Sequence, residues 1–370
     1  MINLIIYSAV TILVVILAIT RQYFILNPRK NQNEEVPSNH MNKIPTLTLV
    51  IISFILSLYS AYLATSGYLT DTDRYAWSFL YRYPVYYESL ETMFNSGTEI
   101  GFLLLSMLVN SFTNDPYWLF FVIAFITTFL NLFTAAKISK SFVLFIFLYL
   151  VSLYFFYSTF LLRQVLSVSF ANLAFLAYLK GRNLNYFSYC IVALTFHATS
   201  IILFCMYFIF NKVKTLRQYL FLVIISLIVF FSFGSIFNTI LPSIPYIDQF
   251  INIEDMELST GGGSVTSILK GIPFYFISIV AIVRRHKIKH ILDKADFYIV
   301  CSVLYSVSWL LTYNMYWFFR MGLYFLLPTL ILVPSLFSTI KNSKERILYY
   351  IIFIFTLIVI TFRQIFITLQ

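Results

Sequence analysis

Five short stretches of this chain carry residue types able to act on a polar substrate. Asp71-Thr72-Asp73-Arg74-Tyr75 offers two carboxylates. Such groups take a proton from a sugar hydroxyl, or bind a divalent cation through oxygen. Thr98-Glu99-Ile100-Gly101-Phe102 adds a third carboxylate, whose plainest role is a favourable charge at a helix N-terminus. Leu162-Arg163-Gln164 sets a guanidinium at the start of an apolar run with no acid near it in sequence. That charge is costly unless paired or facing water, and its planar fork suits a phosphate or diphosphate. Snorkelling to lipid headgroups is the bland alternative. Phe196-His197-Ala198-Thr199 supplies an imidazole, either a base or a hydrogen-bonded structural group. Finally, Asn314, Tyr316, Trp317 and Arg320, with Tyr324 one turn on, read as a second phosphate-binding Arg among aromatic platforms. An interfacial aromatic belt with one snorkelling cation reads the same way. Tyr81, Tyr83, Tyr86 and Tyr87 crowd one further segment, and stacking on sugar faces or lying at an interface are both open to them.

The elements that must position these groups are membrane helices. Sixty per cent of the 370 residues are hydrophobic, 11% are charged, and mean hydropathy is +0.84. That composition describes an all-α, polytopic integral membrane protein. Apolar runs lie near 2–20, 46–66, 117–136, 141–157, 164–179, 219–237, 266–283, 295–312, 321–338 and 346–362. Each is near the length that crosses a bilayer. A formal charge of +10 would suggest nucleic acid in a soluble chain. Here nineteen of the 25 Lys and Arg fall in six clusters between the runs: Arg21 to Lys43, Lys137/Lys140, Lys180/Arg182, Lys212/Lys214/Arg217, Arg284 to Lys294 and Lys341 to Arg346. Positive-inside bias makes those clusters cytoplasmic and excludes nucleic acid as the reason for the charge. The opposite side keeps only Arg74, Arg82, Arg163, Lys270, Arg320 and Arg363, with ten of the 15 carboxylates.

That alternation predicts two departures from plain spans. Residues 184–210 have basic flanks at both ends, which demands two short helices turning outside near His197. The short run Phe102 to Phe112 is expected to lie on the outer surface as a juxtamembrane helix. About twelve spans result, with both termini outside and 1–370 forming a single transmembrane domain. Two external segments interrupt it: a loop over 67–116 with the juxtamembrane helix, and a flexible loop over 238–265. The Gly261–Gly263 run of that second loop lacks a phosphate-loop pattern, so no nucleotide site is expected. Cys190, Cys205 and Cys301 sit inside apolar runs without metal-ligand spacing and are expected to be packing residues. The run Ile2 to Thr20 lacks a basic n-region and an A-x-A site and reads as a retained helix.

Four of the stretches occur in an order that resembles the EpsG family of polysaccharide-polymerising membrane proteins, the Wzy-type group. They read Leu69-Thr70-Asp71-Thr72-Asp73-Arg74-Tyr75, Glu99-Ile100-Gly101-Phe102, Leu162-Arg163-Gln164 and Phe196-His197-Ala198-Thr199-Ser200. The likeness covers roughly 45–210, with Arg320 and Tyr324 as a C-terminal echo. Gly is absent before Thr70 and Ile100 stands where the family has Pro. Asp71 is the carboxylate that matches the signature. The layout is also similar to the GT-C class of lipid-linked glycosyltransferases, so the resemblance implies a GT-C-like fold. It further implies undecaprenyl-diphosphate-linked oligosaccharides as substrates, with glycosidic-bond formation on the outer face of the cytoplasmic membrane and no nucleotide sugar.

The expected function is therefore polymerisation of lipid-linked repeat units into a capsular, exo- or O-antigen-type polysaccharide. Arg163 and Arg320 are expected to hold the diphosphate, and Asp71 with His197 to orient or deprotonate the attacking hydroxyl. Glu99, Gln164, Tyr75 and Tyr324 are the further substrate-binding candidates. No cofactor is expected; a divalent metal at Asp71 and Asp73 is the weaker alternative. The expected partners are the lipid bilayer, and a flippase and chain-length regulator of the same pathway. The competing functions are a lipid-linked oligosaccharide flippase, gripping diphosphate with the same arginines, and a polysaccharide O-acyltransferase with His197 as base.

Overall fold

A computed structural model describes residues 44–66, 70–152, 161–235, 265–313 and 317–368. Every regular element among them is helical. An apolar chain in lipid demands this, because backbone N–H and C=O groups find no water there and a helix satisfies them within one segment. In chain order the helices begin with α1 (Thr46–Thr65) and α2 (Thr70–Trp77), which passes through a π turn (Ser78–Arg82) into a 3-10 turn (Tyr83–Tyr86). Then come α3 (Leu90–Phe94), α4 (Ile100–Asn110), α5 (Pro116–Ile138), α6 (Phe142–Val151), α7 (Leu162–Leu179) and α8 (Asn183–Phe196). A 3-10 turn (Ala198–Ile201) leads into α9 (Ile202–Lys212), followed by α10 (Leu216–Ser235), α11 (Val265–Val283) and α12 (Arg285–Lys289). The last three are α13 (Ala295–Leu311), α14 (Trp317–Ser338) and α15 (Ser343–Thr368).

Among the described residues four helices are long and apolar enough to cross a membrane: Thr46–Thr65, Pro116–Ile138, Leu162–Leu179 and Phe318–Ser338. They match the runs read at 46–66, 117–136, 164–179 and 321–338. The runs at 219–237, 266–283 and 295–312 fall on α10, α11 and α13, and 346–362 lies within α15. Helix α6 covers the start of 141–157. The run at 2–20 and nearly all of the 238–265 loop lie outside the described residues. Helix α4, with 11 residues, is about 16 Å long and too short to cross about 30 Å of hydrocarbon. The stretch 184–210 does break into two helices. Tyr186 Oη donates to the Leu203 carbonyl at 2.6 Å, a contact that only a chain doubling back after His197 can make.

The chain divides into two compact units, one made of Met1–Leu203 and Ile354–Gln370, the other of Phe204–Phe353. The first centres on α7, which packs between α5 and α8. Its buried face is small and polar: Ser167, Ser169, Ala171, Asn172 and Ala174 are all fully buried. Small side chains let helices approach closely, and hydroxyls and amides then bond across the gap. Asn172 Nδ2 donates to Asn131 Oδ1 on α5 at 2.9 Å, and Ser167 Oγ donates to the Ala193 carbonyl on α8 at 2.8 Å. Helix α1 is inside-out by the standards of a soluble protein. Ser53, Ser57, Ser60, Ala61 and Ala64 are buried, while Leu47, Ile51, Phe54, Ile55 and Tyr62 are exposed. Large apolar groups turned outward suit lipid as the solvent.

In the second unit α13 packs on α14 and α11. Ser278, Ser302 and Ser306 bond to one another across the α11–α13 contact. Lys289 Nζ pairs with Asp296 Oδ2 at 2.9 Å, and Tyr219 Oη donates to Asp296 Oδ1 at 2.6 Å. Cys190 and Cys301 are buried as expected. Cys205 is not: it lies exposed on α9, because a helix with one packed stripe must present its other residues outward.

Candidate active site

Glu99 is the residue at which three distant motifs meet. Its Oε2 accepts from Arg163 Nη1 at 2.6 Å, across 64 residues of sequence. Its Oε1 lies 2.8 Å from His197 Nδ1, across 98 residues. Arg163 Nε in turn donates to Tyr75 Oη at 3.4 Å. All four residues belong to the first unit.

Local structure explains each placement. Glu99 is the N-cap of α4 in extended conformation, yet its side chain makes no capping bond and turns to the two bases. Gly101, two residues on, is where α4 presses against the end of α8. A Cβ built there would stand 2.5 Å from Thr195 Oγ1 and 2.8 Å from the Thr195 carbonyl oxygen. Only a residue without a side chain allows that approach. His197 follows two residues after Thr195, at the C-cap of α8 in extended backbone conformation. Its N–H bonds back to the Ala193 carbonyl and its own carbonyl accepts from Ser200 Oγ at 2.9 Å, so the ring is carried on a fixed backbone. Phe196 stacks on Phe170 at 5.3 Å.

Arg163 sits in the first turn of α7, which has no side-chain cap. A cation at the positive end of a helix is unfavourable. The Glu99 carboxylate offsets it, and so would any other anion brought to that helix start.

The motifs also share a floor. Phe102, Leu162 and Leu166 are buried in one apolar cluster with Phe79 and Tyr83, and Tyr75 and Phe196 pack against it. Phe102 contacts the rings of Tyr75 and Tyr83 at 5.8 and 5.9 Å. Three of the stretches thus give an apolar residue to the cluster and a polar one to the bonded group, and Tyr75 gives its ring to the one and its hydroxyl to the other.

The electrostatics follow from this packing. Burial alone would raise the Glu99 carboxyl. The His197 hydrogen bond and the Arg163 charge outweigh that, and hold it at about 2 against an ordinary 4.5. Glu99 is therefore a carboxylate, an acceptor only, at any physiological pH. Burial, and secondarily Tyr75, pushes the Tyr83 phenol up to about 12, so it stays protonated.

The remaining sequence candidates are placed as follows. Asp71 and Asp73 are exposed on α2, and Thr72 between them is buried. Neither aspartate makes a hydrogen bond or ion pair among the described residues. At about 100° per residue, Asp71 stands about 40° around the helix from Tyr75, whereas Asp73 stands about 160° away. Gln164 is buried beside Arg163. Arg320 and Tyr324 lie one turn apart on α14 in the second unit, Arg320 half-buried and Tyr324 fully buried. Asn314 and Tyr316 lie outside the described residues. Among the aromatic crowd only Tyr81 is open, near the exposed Trp77 at 6.0 Å, while Tyr83 is buried and Tyr86 and Tyr87 are half-buried. Arg82 is structural: it donates to the Ser96 carbonyl at 3.4 Å. No three His, Cys, Asp or Glu side chains converge on a metal-sized site among the described residues.

By sequence Glu99 opens a helix and Arg163 has no acid near it; the structure makes the first the partner of the second. Thr195 and Gly101 set that geometry. The only sequence signal for it was a Gly two residues after an acid, at the start of an apolar helix.

Comparison with known proteins places these motifs in one family. The model of the EpsG family matches residues 46–369, nearly all of the described chain. No curated protein and no solved structure matches this sequence.

Proposed function

The chain belongs to the EpsG family, the Wzy-type polysaccharide polymerases, and from that premise we propose that it joins undecaprenyl-diphosphate-linked oligosaccharide repeat units on the outer face of the cytoplasmic membrane. The observation that carries the reading is the convergence of two motif residues, Arg163 and His197, on the carboxylate of a third, Glu99, with Tyr75 of a fourth motif bonded to Arg163. A growing chain on its lipid diphosphate is the donor, and the non-reducing-end hydroxyl group of a second lipid-linked unit is the attacking group.

Arg163 is the group for the diphosphate. Its fork matches a phosphate, it stands at the uncapped start of α7, and its present partner is a carboxylate that a more highly charged anion can replace. Bond cleavage leaves additional negative charge on the diphosphate, and a guanidinium already in place stabilises that charge without reorganising solvent. Arg320, one turn from Tyr324 on α14, is a candidate anion ligand within the second unit by itself. Asp71 and His197 orient or deprotonate the acceptor hydroxyl, Tyr75 fixes Arg163, and Gln164 supports the start of α7. A good leaving group and a fixed cation make a metal unnecessary to this scheme.

The test is reconstitution of the full chain in lipid nanodiscs with lipid-linked oligosaccharides extracted from cells deleted for its gene. Ladder-like lengthening by the wild type and its loss by about 100-fold or more in Arg163→Ala support the proposal. Full lengthening by Arg163→Ala refutes the diphosphate role. Unchanged length with transfer of the lipid between leaflets refutes polymerisation itself.

A further inference from the structure

We propose that His197 Nε2 is the general base that takes the proton of the attacking sugar hydroxyl, and that Glu99 is the positioning residue that presents it. This rests on the polymerase reading above and decides between the two groups, Asp71 and His197, which that reading leaves sharing the task.

His197 Nδ1 and Glu99 Oε1 share a hydrogen bond 2.8 Å long. A carboxylate has no proton to give, so Nδ1 must be the N–H. In the neutral ring the lone pair is then on Nε2. That atom is shut off from solvent and has no hydrogen-bond partner among the described residues. An unsatisfied buried polar atom is destabilising, and a substrate hydroxyl donating to it would remove the penalty. The backbone cannot easily rotate the ring elsewhere, since His197 is tied at its N–H to Ala193 and at its carbonyl to Ser200. The charged and titratable groups facing the ring are Glu99 from the start of α4 and, through Glu99, Arg163 from α7 and Tyr75 from α2. Asp71 has no such tether among the described residues, which leaves it the role of an open sugar ligand on α2.

The step balances as follows. The hydroxyl proton passes to Nε2 and the oxygen's electron pair forms the new bond to the anomeric carbon. The bond from that carbon to the diphosphate oxygen breaks, and its electron pair leaves with the diphosphate. The imidazolium, paired with Glu99 through Nδ1–H, then releases its proton to water.

Two measurements test this. The first needs no turnover: 15N-histidine spectra of the full chain in nanodiscs, with the His197 signal identified by its loss in His197→Gln. The neutral ring is expected to show a protonated Nδ1 and a bare Nε2 in the wild type, with that preference lost in Glu99→Gln. A protonated Nε2 in the wild type overturns the proposal. The second is chain lengthening. His197→Gln is expected to fall by about 100-fold or more. Glu99→Gln is expected to fall similarly and to lose the wild-type tautomer, because the carboxylate no longer holds the Nδ1 proton. A slower Glu99→Gln that keeps the wild-type tautomer means a merely structural carboxylate and overturns the proposal. Arg163→Ala should lose activity while keeping the wild-type tautomer. Wild-type protein that fails to lengthen any lipid-linked oligosaccharide refutes polymerisation, whereas lengthening that persists in His197→Gln refutes only the base.

Discussion

Gly101→Ala is the sharpest test of how the site is assembled. On an open helix surface this change would stabilise α4 by about 1 kcal/mol through helix propensity. Here the added Cβ meets the Thr195 carbonyl oxygen at 2.8 Å and Thr195 Oγ1 at 2.5 Å. The hydroxyl is anchored to the Val192 carbonyl at 2.7 Å, and the carbonyl is backbone, so neither yields easily. Restoring ordinary contact to the carbonyl requires α4 to back away by about 0.6 Å, at an overpacking cost of about 1–3 kcal/mol. Glu99 caps that helix and moves with it. Its 2.8 Å contact with His197 would stretch to about 3.4 Å, beyond a strong charge-assisted hydrogen bond. The expected outcome is a drop in chain lengthening of about 100-fold, the scale of a sub-ångström misplacement at a reacting centre, with a Tm lowered by only a few degrees. Thr195→Ala should restore little when combined with it, because the carbonyl remains. Wild-type activity in Gly101→Ala would refute the claim that the α4–α8 approach positions Glu99.

Three further outcomes follow from the same geometry. Asp71→Asn should reduce lengthening by about tenfold or more while Asp73→Asn stays near wild type, because only Asp71 shares the Tyr75 flank of α2; equal effects would refute the helix-face argument. Thermal unfolding in detergent should lose about 3 kcal/mol between pH 4.5 and about 2. The folded-state Glu99 carboxyl is depressed, so its stabilisation is complete above 4.5 and disappears as the pH falls through its folded value; Glu99→Gln should flatten that window. Tyr219→Phe removes the 2.6 Å bond to Asp296 and should lower stability by about 1–2 kcal/mol while leaving chain lengthening intact. A lengthening defect there would show that the second unit's ion pair serves the reaction.

The helices were largely legible before the structure. The run read at 117–136 is α5, Pro116–Ile138. Its start is written locally: the Asp115 carboxylate accepts from the Tyr117 N–H at 2.9 Å, and Pro116 occupies the first turn, where no N–H is missed. The break at His197 was legible too, through the basic residues on both sides of 184–210. The polar side of the first unit's packing was not. Asn131 and Asn172 lie 41 residues apart within apolar runs, and nothing local says that they face each other.

The candidate site divides along the same line. Local sequence and charge patterning determined a helical membrane protein, the places where its helices begin and end, the family motifs, and the inventory of acids and bases able to act on a polar substrate. Those properties depend on neighbours within a few residues, or on the sum over a span. Which carboxylate meets Arg163 and His197 was decided only by tertiary packing. Asp71, Asp73 and Glu99 were equally plausible partners by type, and the choice fell to the one carried by a helix that a glycine lets press against Thr195. A carboxylate bonded to groups 64 and 98 positions away is placed by helix approach and rotation. Those are fixed by side-chain volume at contacts far along the chain, a quantity that no local pattern records.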